Sequence, residues 1–219
     1  MFSEIIHALE KQLENPLPGR SAQIKMQPYV PGMPKIALPK LLTPKESAVM
    51  ALLYPKDDIP YLVLIERVKY AGVHSGQISL PGGKLEIRES YQDAAVRETF
   101  EEVGISSRQY DIIGKLTPNY VPPSNFNIQP FIAVSNHSID LHKDEREVAN
   151  ILETPLSFLF DADKRGEKVM KSAMGVQVMA PYFDIYGKTL WGATAMILSE
   201  LIEIIQNSPQ QILKYSDKK

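Results

Sequence analysis

GGKLEIRESYQDAAVRETFEEVGI, residues 82–105, joins a double glycine to a charged loop and then to a helix dense in carboxylates. Ser90 is a good N-cap with Asp93 three residues on, and Gly104 is a natural stop. At 3.6 residues per turn the side chains between them sort into two faces. Val96, Thr99, Phe100 and Val103 are expected to pack on a core, and Arg97, Glu98, Glu101 and Glu102 to crowd the other side. Like charges three or four apart on a helix repel by roughly 0.2–0.5 kcal/mol per pair. Glu98 forms such pairs with both Glu101 and Glu102.

A solvated acidic face is the ordinary outcome for a bare E-x-x-E-E. Clustered carboxylates otherwise call for a divalent cation that prefers oxygen, Mg2+ or Mn2+. Glu98 and Glu102, one turn apart, project the same way and can share such an ion. Glu101 lies beside them as a further ligand or a water-positioning base. A glycine pair turns sharply and brings carbonyls close to a metal, which makes Gly83 a candidate backbone ligand. Glu89 and Arg97 carry opposite charge and are expected to pair structurally, holding loop to helix.

The spacing is Gly83, five residues, Glu89, seven residues, Arg97-Glu98, two residues, Glu101-Glu102, one residue, Gly104-Ile105. This resembles the Nudix box, G-x5-E-x7-R-E-U-x-E-E-x-G-U, where U is a bulky apolar residue. Every fixed charge and glycine is in register, and Thr99 at the first U is the one departure. The resemblance implies an α/β fold, a Nudix-type α/β/α sandwich around a mixed β-sheet, with the box as a loop–helix–loop at the cleft. It also implies hydrolysis of a diphosphate linked to a second moiety, with metal-activated water.

Working outward, the 219 residues hold 44% apolar and 23% charged side chains, as in a globular protein with a sizeable core. A net charge of −2 gives no footprint for nucleic-acid binding, and no window approaches a membrane span. The absence of cysteine excludes disulfides and thiolate chemistry and suits a cytoplasmic location. Residues 1–44 read as an amphipathic helix (Ile5, Ile6, Leu9, Leu13) and a proline-rich lead-in wrapped over the surface, where Arg20 or Lys25 could approach a phosphate. Residues 45–210 form the catalytic domain and 211–219 a frayed tail. Expected strands are 47–54, 61–67, 111–116, 131–135, 169–174 and 176–185, with a loop over 117–127 and a closing helix over 193–206.

The flank before the box narrows the substrate. Leu64-Ile65-Glu66-Arg67 and Gly76-Gln77-Ile78-Ser79-Leu80-Pro81-Gly82-Gly83 resemble the extended signature of coenzyme A pyrophosphatases, L-L-T-x-R-S-x3-R-x3-G-Q-x3-P-G-G. Ile65, Val68 and Gly72 stand where threonine, serine and a second arginine are usual; Lys69, His74, Lys84 or Arg88 could replace that arginine. The resemblance implies a small-molecule, CoA-like nucleotide substrate, cleaved to 3′,5′-ADP and (acyl-)4′-phosphopantetheine. Arg67, Gln77 and Lys84 are then substrate-binding candidates, Glu98, Glu101 and Glu102 catalytic and metal ligands, and Glu147 a distal carboxylate brought in from a later loop. The chain would act as a monomer or homodimer. Competing readings are an ADP-ribose or other nucleoside-diphosphate-X pyrophosphatase and a non-catalytic Nudix-fold binding module. Retention of every box carboxylate disfavours the module.

Overall fold

Two adjacent aspartates turn the first hairpin. In a computed structural model, which describes residues 2–33, 35, 43–69, 76–172 and 174–207, Asp57 and Asp58 both take positive φ. Such a two-residue turn matches the twist of the strands it joins, β1 (Lys45–Lys56) and β2 (Ile59–Arg67). These strands pair directly only from 53 to 56 and from 59 to 62. Beyond that they part, and residues 78–84 are wedged between them. There β3 (Ile78–Ser79) pairs with β2, and β4 (Gly82–Lys84) with β1. The N–H of Met50 donates to the Pro81 carbonyl at 2.8 Å across the break.

On its other edge β1 runs parallel to β7 (Phe126–Val134), which carries β5 (Asp111–Lys115) and β6 (Asn119–Val121) antiparallel. β8 (Val148–Pro155) covers the outer edge of β2. A separate antiparallel sheet is built from β9 (Arg165–Lys171), β10 (Gln177–Ile185) and β11 (Lys188–Trp191). The helices are α1 (Phe2–Leu13), α2 (Arg20–Gln23), α3 (Tyr91–Val103) and α4 (Ala193–Gln206).

Alternation along β1 divides the core. Ala48, Met50, Leu52 and Tyr54 point to one face and pack with Ala94, Ala95 and Val103 of α3. Ala51 and Leu53 point to the other and pack with Leu9 of α1 and Leu198 and Leu201 of α4. The result is an α/β/α sandwich around a mixed sheet. Among the described residues no helix is long and apolar enough to cross a membrane.

Several expectations shift. The turn formers at 117–127 predict one loop, but only 122–125 turn; β6 and β7 close around them as a hairpin, with Asn125 at positive φ, so β7 starts at Phe126 rather than 131. β9 begins four residues before the expected 169, and the turn centred on Gly175 ends it at Lys171. The lead-in is more than a surface wrap: Ala22 and Gln23 of α2 are buried, and α2 packs on α4. Gly72, His74 and the tail at 211–219 lie outside the described residues.

Candidate active site

The helix that carries the carboxylates is capped at both ends by sequence-local chemistry. Ser90 Oγ accepts the Asp93 N–H at 3.1 Å, and Gly104 ends α3 in the left-handed region. Between the caps the inward face is Ala95, Thr99, Glu102 and Val103, while Phe100 is 56% exposed. The expected packing of Phe100 is thus corrected. Polar residues go in because they find partners there: Thr99 Oγ1 donates to the Ala95 carbonyl at 2.6 Å, and Glu102 is received by the glycine strand. That rotation turns Phe100 outward.

Glu102 is only 1% exposed. Its Oε2 accepts the Gly82 N–H at 2.8 Å, and its Oε1 lies 3.0 Å from Arg67 Nη2. Burial pushes its carboxyl up to about 7; the Arg67 charge and the Gly82 amide oppose the rise, and Glu98 and Glu147 add to it. Burial also raises Glu98, against the pull of Arg97. Glu147 arrives from a separate loop whose docking is explicit. The N–H groups of His142 and Asp144 cap the Val103 and Glu102 carbonyls, and the Glu147 carbonyl accepts the Val68 N–H at 3.0 Å. One carboxylate oxygen from each of Glu98, Glu102 and Glu147 then lies within 4.8 Å of the others.

Glu101 is outside this trio and 53% exposed at its side chain. It is bound instead to Arg97, whose guanidinium links most of the box. Arg97 Nε and Nη2 donate to Glu89 at 2.8 and 3.0 Å, Nη1 to Glu98 and Glu101 at 2.8 and 2.9 Å, and Nη2 also to the Lys84 carbonyl. These contacts hold the Arg97 guanidinium well above its ordinary pKa, Glu89 chief among them. Glu89 in turn accepts the Glu86 N–H, closing the loop onto the helix.

The two glycines are required for different reasons. A Cβ at Gly82, which sits at φ 148°, would stand 2.6 Å from Val49 Cα, inside the sheet. One at Gly83 would stand 2.6 Å from Glu98 Oε2, inside the site. Arg67 Nη2 donates to the Gly82 carbonyl at 2.9 Å, so one guanidinium touches both the glycine strand and Glu102.

On the α4 side of that strand opens a cavity of about 740 Å³. Arg67, Gln77, Gly83 and Lys84 line one end, and the Gln77 carbonyl also accepts the Arg67 N–H. Tyr120, Phe126, Met174, Val178 and Trp191 supply apolar wall. Trp191 is half-buried at this wall. Among the described residues no Asp or Glu lines the cavity, whereas three cations do, Arg20, Arg67 and Lys84. A second cleft, along Lys84–Ile87, Arg97 and Glu98, shares Lys84 with it, so cavity and carboxylates meet at the end of β4.

The donor set suits a hard divalent cation: three carboxylates, with Glu102 Oε1 buried and making no hydrogen bond. Sequence reasoning had no hold on Glu200, fully buried in α4. Its carboxylate accepts from Gly19 N, Gln23 Nε2 and Thr117 Oγ1 at 3.1, 3.0 and 2.7 Å. The available signal was a pair of acids, Glu200 and Glu203, inside the otherwise largely apolar run ATAMILSELIEII.

A family model described as the NUDIX domain matches residues 44–171. The chain is 29% identical over 191 residues to Nudix hydrolase 15, mitochondrial, of Arabidopsis thaliana, covering 82% of this chain and 65% of that one. It is 27% identical to Nudix hydrolase 22, chloroplastic, of the same plant, covering 63% of it, so the match spans just under two thirds of these plant relatives. An uncharacterized Nudix hydrolase NudL of Enterobacter sp. (strain 638) is 29% identical over 163 residues, 74% of this chain and 83% of that one. Among solved structures, a MutT/nudix family protein from Enterococcus faecalis superposes with a TM-score of 0.53 at 17% identity, over 78% of this chain and 66% of its own, which shows the fold alone.

Proposed function

The chain belongs to the Nudix family, and from that premise we propose that it is a pyrophosphohydrolase dependent on Mg2+ or Mn2+ that cleaves CoA or an acyl-CoA to 3′,5′-ADP and (acyl-)4′-phosphopantetheine. The convergence of Glu98, Glu102 and Glu147 beside a cavity lined by three cations and, among the described residues, by no acid carries this reading. Glu98 and Glu102 would hold the ion, with the Gly83 carbonyl as a further candidate. A divalent cation there supplies charge neutralisation of the diphosphate and activation of water.

The remaining steps belong to the chain's own residues. Arg67 keeps Glu102 aimed at the glycine strand and, with Lys84, offers positive charge where the diphosphate must lie. Arg97 fixes Glu98 in one orientation, and Glu101 serves through that guanidinium. Glu147, the exposed member of the trio, takes the proton of the attacking water. Gln77 lines the entrance and can hydrogen-bond the substrate. The largely apolar wall suits a pantetheine arm or acyl chain better than a second sugar, which favours CoA over ADP-ribose.

Product analysis by ion-pair chromatography tests this. The protein is incubated with Mg2+ or Mn2+ and, separately, CoA, ADP-ribose and a diadenosine polyphosphate, with Glu102→Gln as control. Release of 3′,5′-ADP from CoA, absent in the variant, supports the reading. Preference for ADP-ribose refutes the substrate, and no turnover of any of them leaves a binding module.

A further inference from the structure

Six buried side-chain polar atoms have no hydrogen-bond partner among the described residues, and three of them belong to residues that line the 740 Å³ cavity: Arg20 Nε, Ser79 Oγ and Asn119 Oδ1. Orphaned buried polar groups are uncommon, and three of them around one cavity mark a place where a ligand can supply the missing partners. Arg20 is the charged member of this set. Its Nη2 donates to Gln27 Oε1, and no acid among the described residues pairs with it. Of the residues outside the described set only Asp217 is acidic. The neighbouring Lys25, by contrast, is paired with Glu203 at 2.6 Å. A guanidinium stays charged even when burial lowers its pKa, as it does for Arg20, so this cation lines the cavity with no counter-charge among the described residues.

Arg20 also stands apart from the reacting end. It lies on α2, which packs on α4, whereas Arg67 and Lys84 flank the glycine strand. The buried Glu200 fixes that position by accepting from Gly19 and Gln23 on either side of it. Gly72 leaves unfilled an arginine position of the upstream signature, and residues 20–30 lie outside the span that the family model matches.

We propose that Arg20 binds a phosphate monoester of the substrate, remote from the scissile diphosphate. This rests on the CoA reading above, in which the 3′-phosphate of the nucleotide is that monoester. A charge-assisted, partly buried contact of this kind changes kcat/KM by about ten- to a hundredfold.

The test compares CoA with dephospho-CoA, which differ only in that phosphate, on wild type, Arg20→Gln and Arg20→Lys of the full chain. Wild type is expected to favour CoA by about tenfold or more in kcat/KM, mainly through KM. Arg20→Gln brings the ratio close to one, and Arg20→Lys recovers part of it. Equal losses on both substrates would show a merely structural arginine and overturn the assignment, as would a wild type indifferent to the phosphate. A wild type that cleaves neither compound overturns the substrate reading and this assignment together, whereas CoA cleavage with an unchanged ratio in Arg20→Gln overturns only the latter. Inhibition of wild type by 3′,5′-ADP against 5′-AMP, which lacks only the 3′-phosphate, needs no variant. The bisphosphate is expected to bind about tenfold tighter, and equal inhibition would refute the contact.

Discussion

Glu102→Gln separates the electrostatic cost of the site from its chemistry. In the metal-free protein burial lifts the Glu102 carboxyl from the ordinary 4.5 to about 7, a net shift that already includes the attraction of Arg67. A displacement of that size corresponds to about 3 kcal/mol. Because the folded state binds the proton more tightly than the unfolded one, this contribution is fully present below pH 4.5. It is lost as pH rises to about 7, and ionised Glu102 is a liability above that. Glutamine keeps an acceptor for the Gly82 N–H and carries no charge. Urea denaturation in EDTA should therefore find Glu102→Gln more stable than wild type at pH 8, by up to about 3 kcal/mol, with the gap shrinking below about 1 kcal/mol at pH 5. Adding Mg2+ or Mn2+ at a hundred times its dissociation constant should raise wild type by about 3 kcal/mol and leave the variant almost unmoved. Turnover in the variant should fall by about a hundredfold or more. A wild type at least as stable as the variant at pH 8 in EDTA, or equal stabilisation of both by metal, would refute the reasoning.

Gly82→Ala should cost about 3 kcal/mol or more in urea unfolding, since its methyl meets strand backbone at a φ that alanine avoids. Gly83→Ala should fold within about 1 kcal/mol of wild type yet lose about a hundredfold in kcat, because its methyl displaces only the Glu98 carboxylate. Glu200→Ala should destabilise by about 3 kcal/mol or more, measured by thermal unfolding, because the donors from Gly19, Gln23 and Thr117 lose their acceptor. Glu200→Gln should rescue little, since its amide group turns donors toward donors.

The helix that carries the box carboxylates was legible because its signals are local. A cap at Ser90, a stop at Gly104 and carboxylates at fixed offsets specify a helix and its chemistry within one stretch. Glu102 and Phe100 exchanged their expected surroundings because helical periodicity sees apolarity, not the amide of Gly82 waiting across the sheet. Asn119–Val121 was hidden by the prolines beside it, whose density suggests one long loop where the chain makes a four-residue turn. Glu147 could be nominated from sequence, but its arrival beside Glu102 depends on two backbone bonds from its loop to the end of α3. Glu200 and the inward course of Arg20 depend on contacts more than 170 residues apart along the chain, which no spacing rule encodes.

The cavity walls draw on both flanks of the family span, residues 20–30 before it and 172–197 after it, and on Arg67, Gln77, Lys84, Tyr120 and Phe126 within it, where the carboxylates also lie. On the proposed reading, the carboxylates are written within one stretch of the chain, while the walls that select a substrate are written partly inside and partly outside it. On that reading, drift in the flanking stretches reshapes part of the apolar wall without touching a carboxylate. A fragment cut at 44 and 171 would keep the three carboxylates with the Arg67–Lys84 side of the cavity and forfeit Arg20, Val178 and Trp191 from its walls.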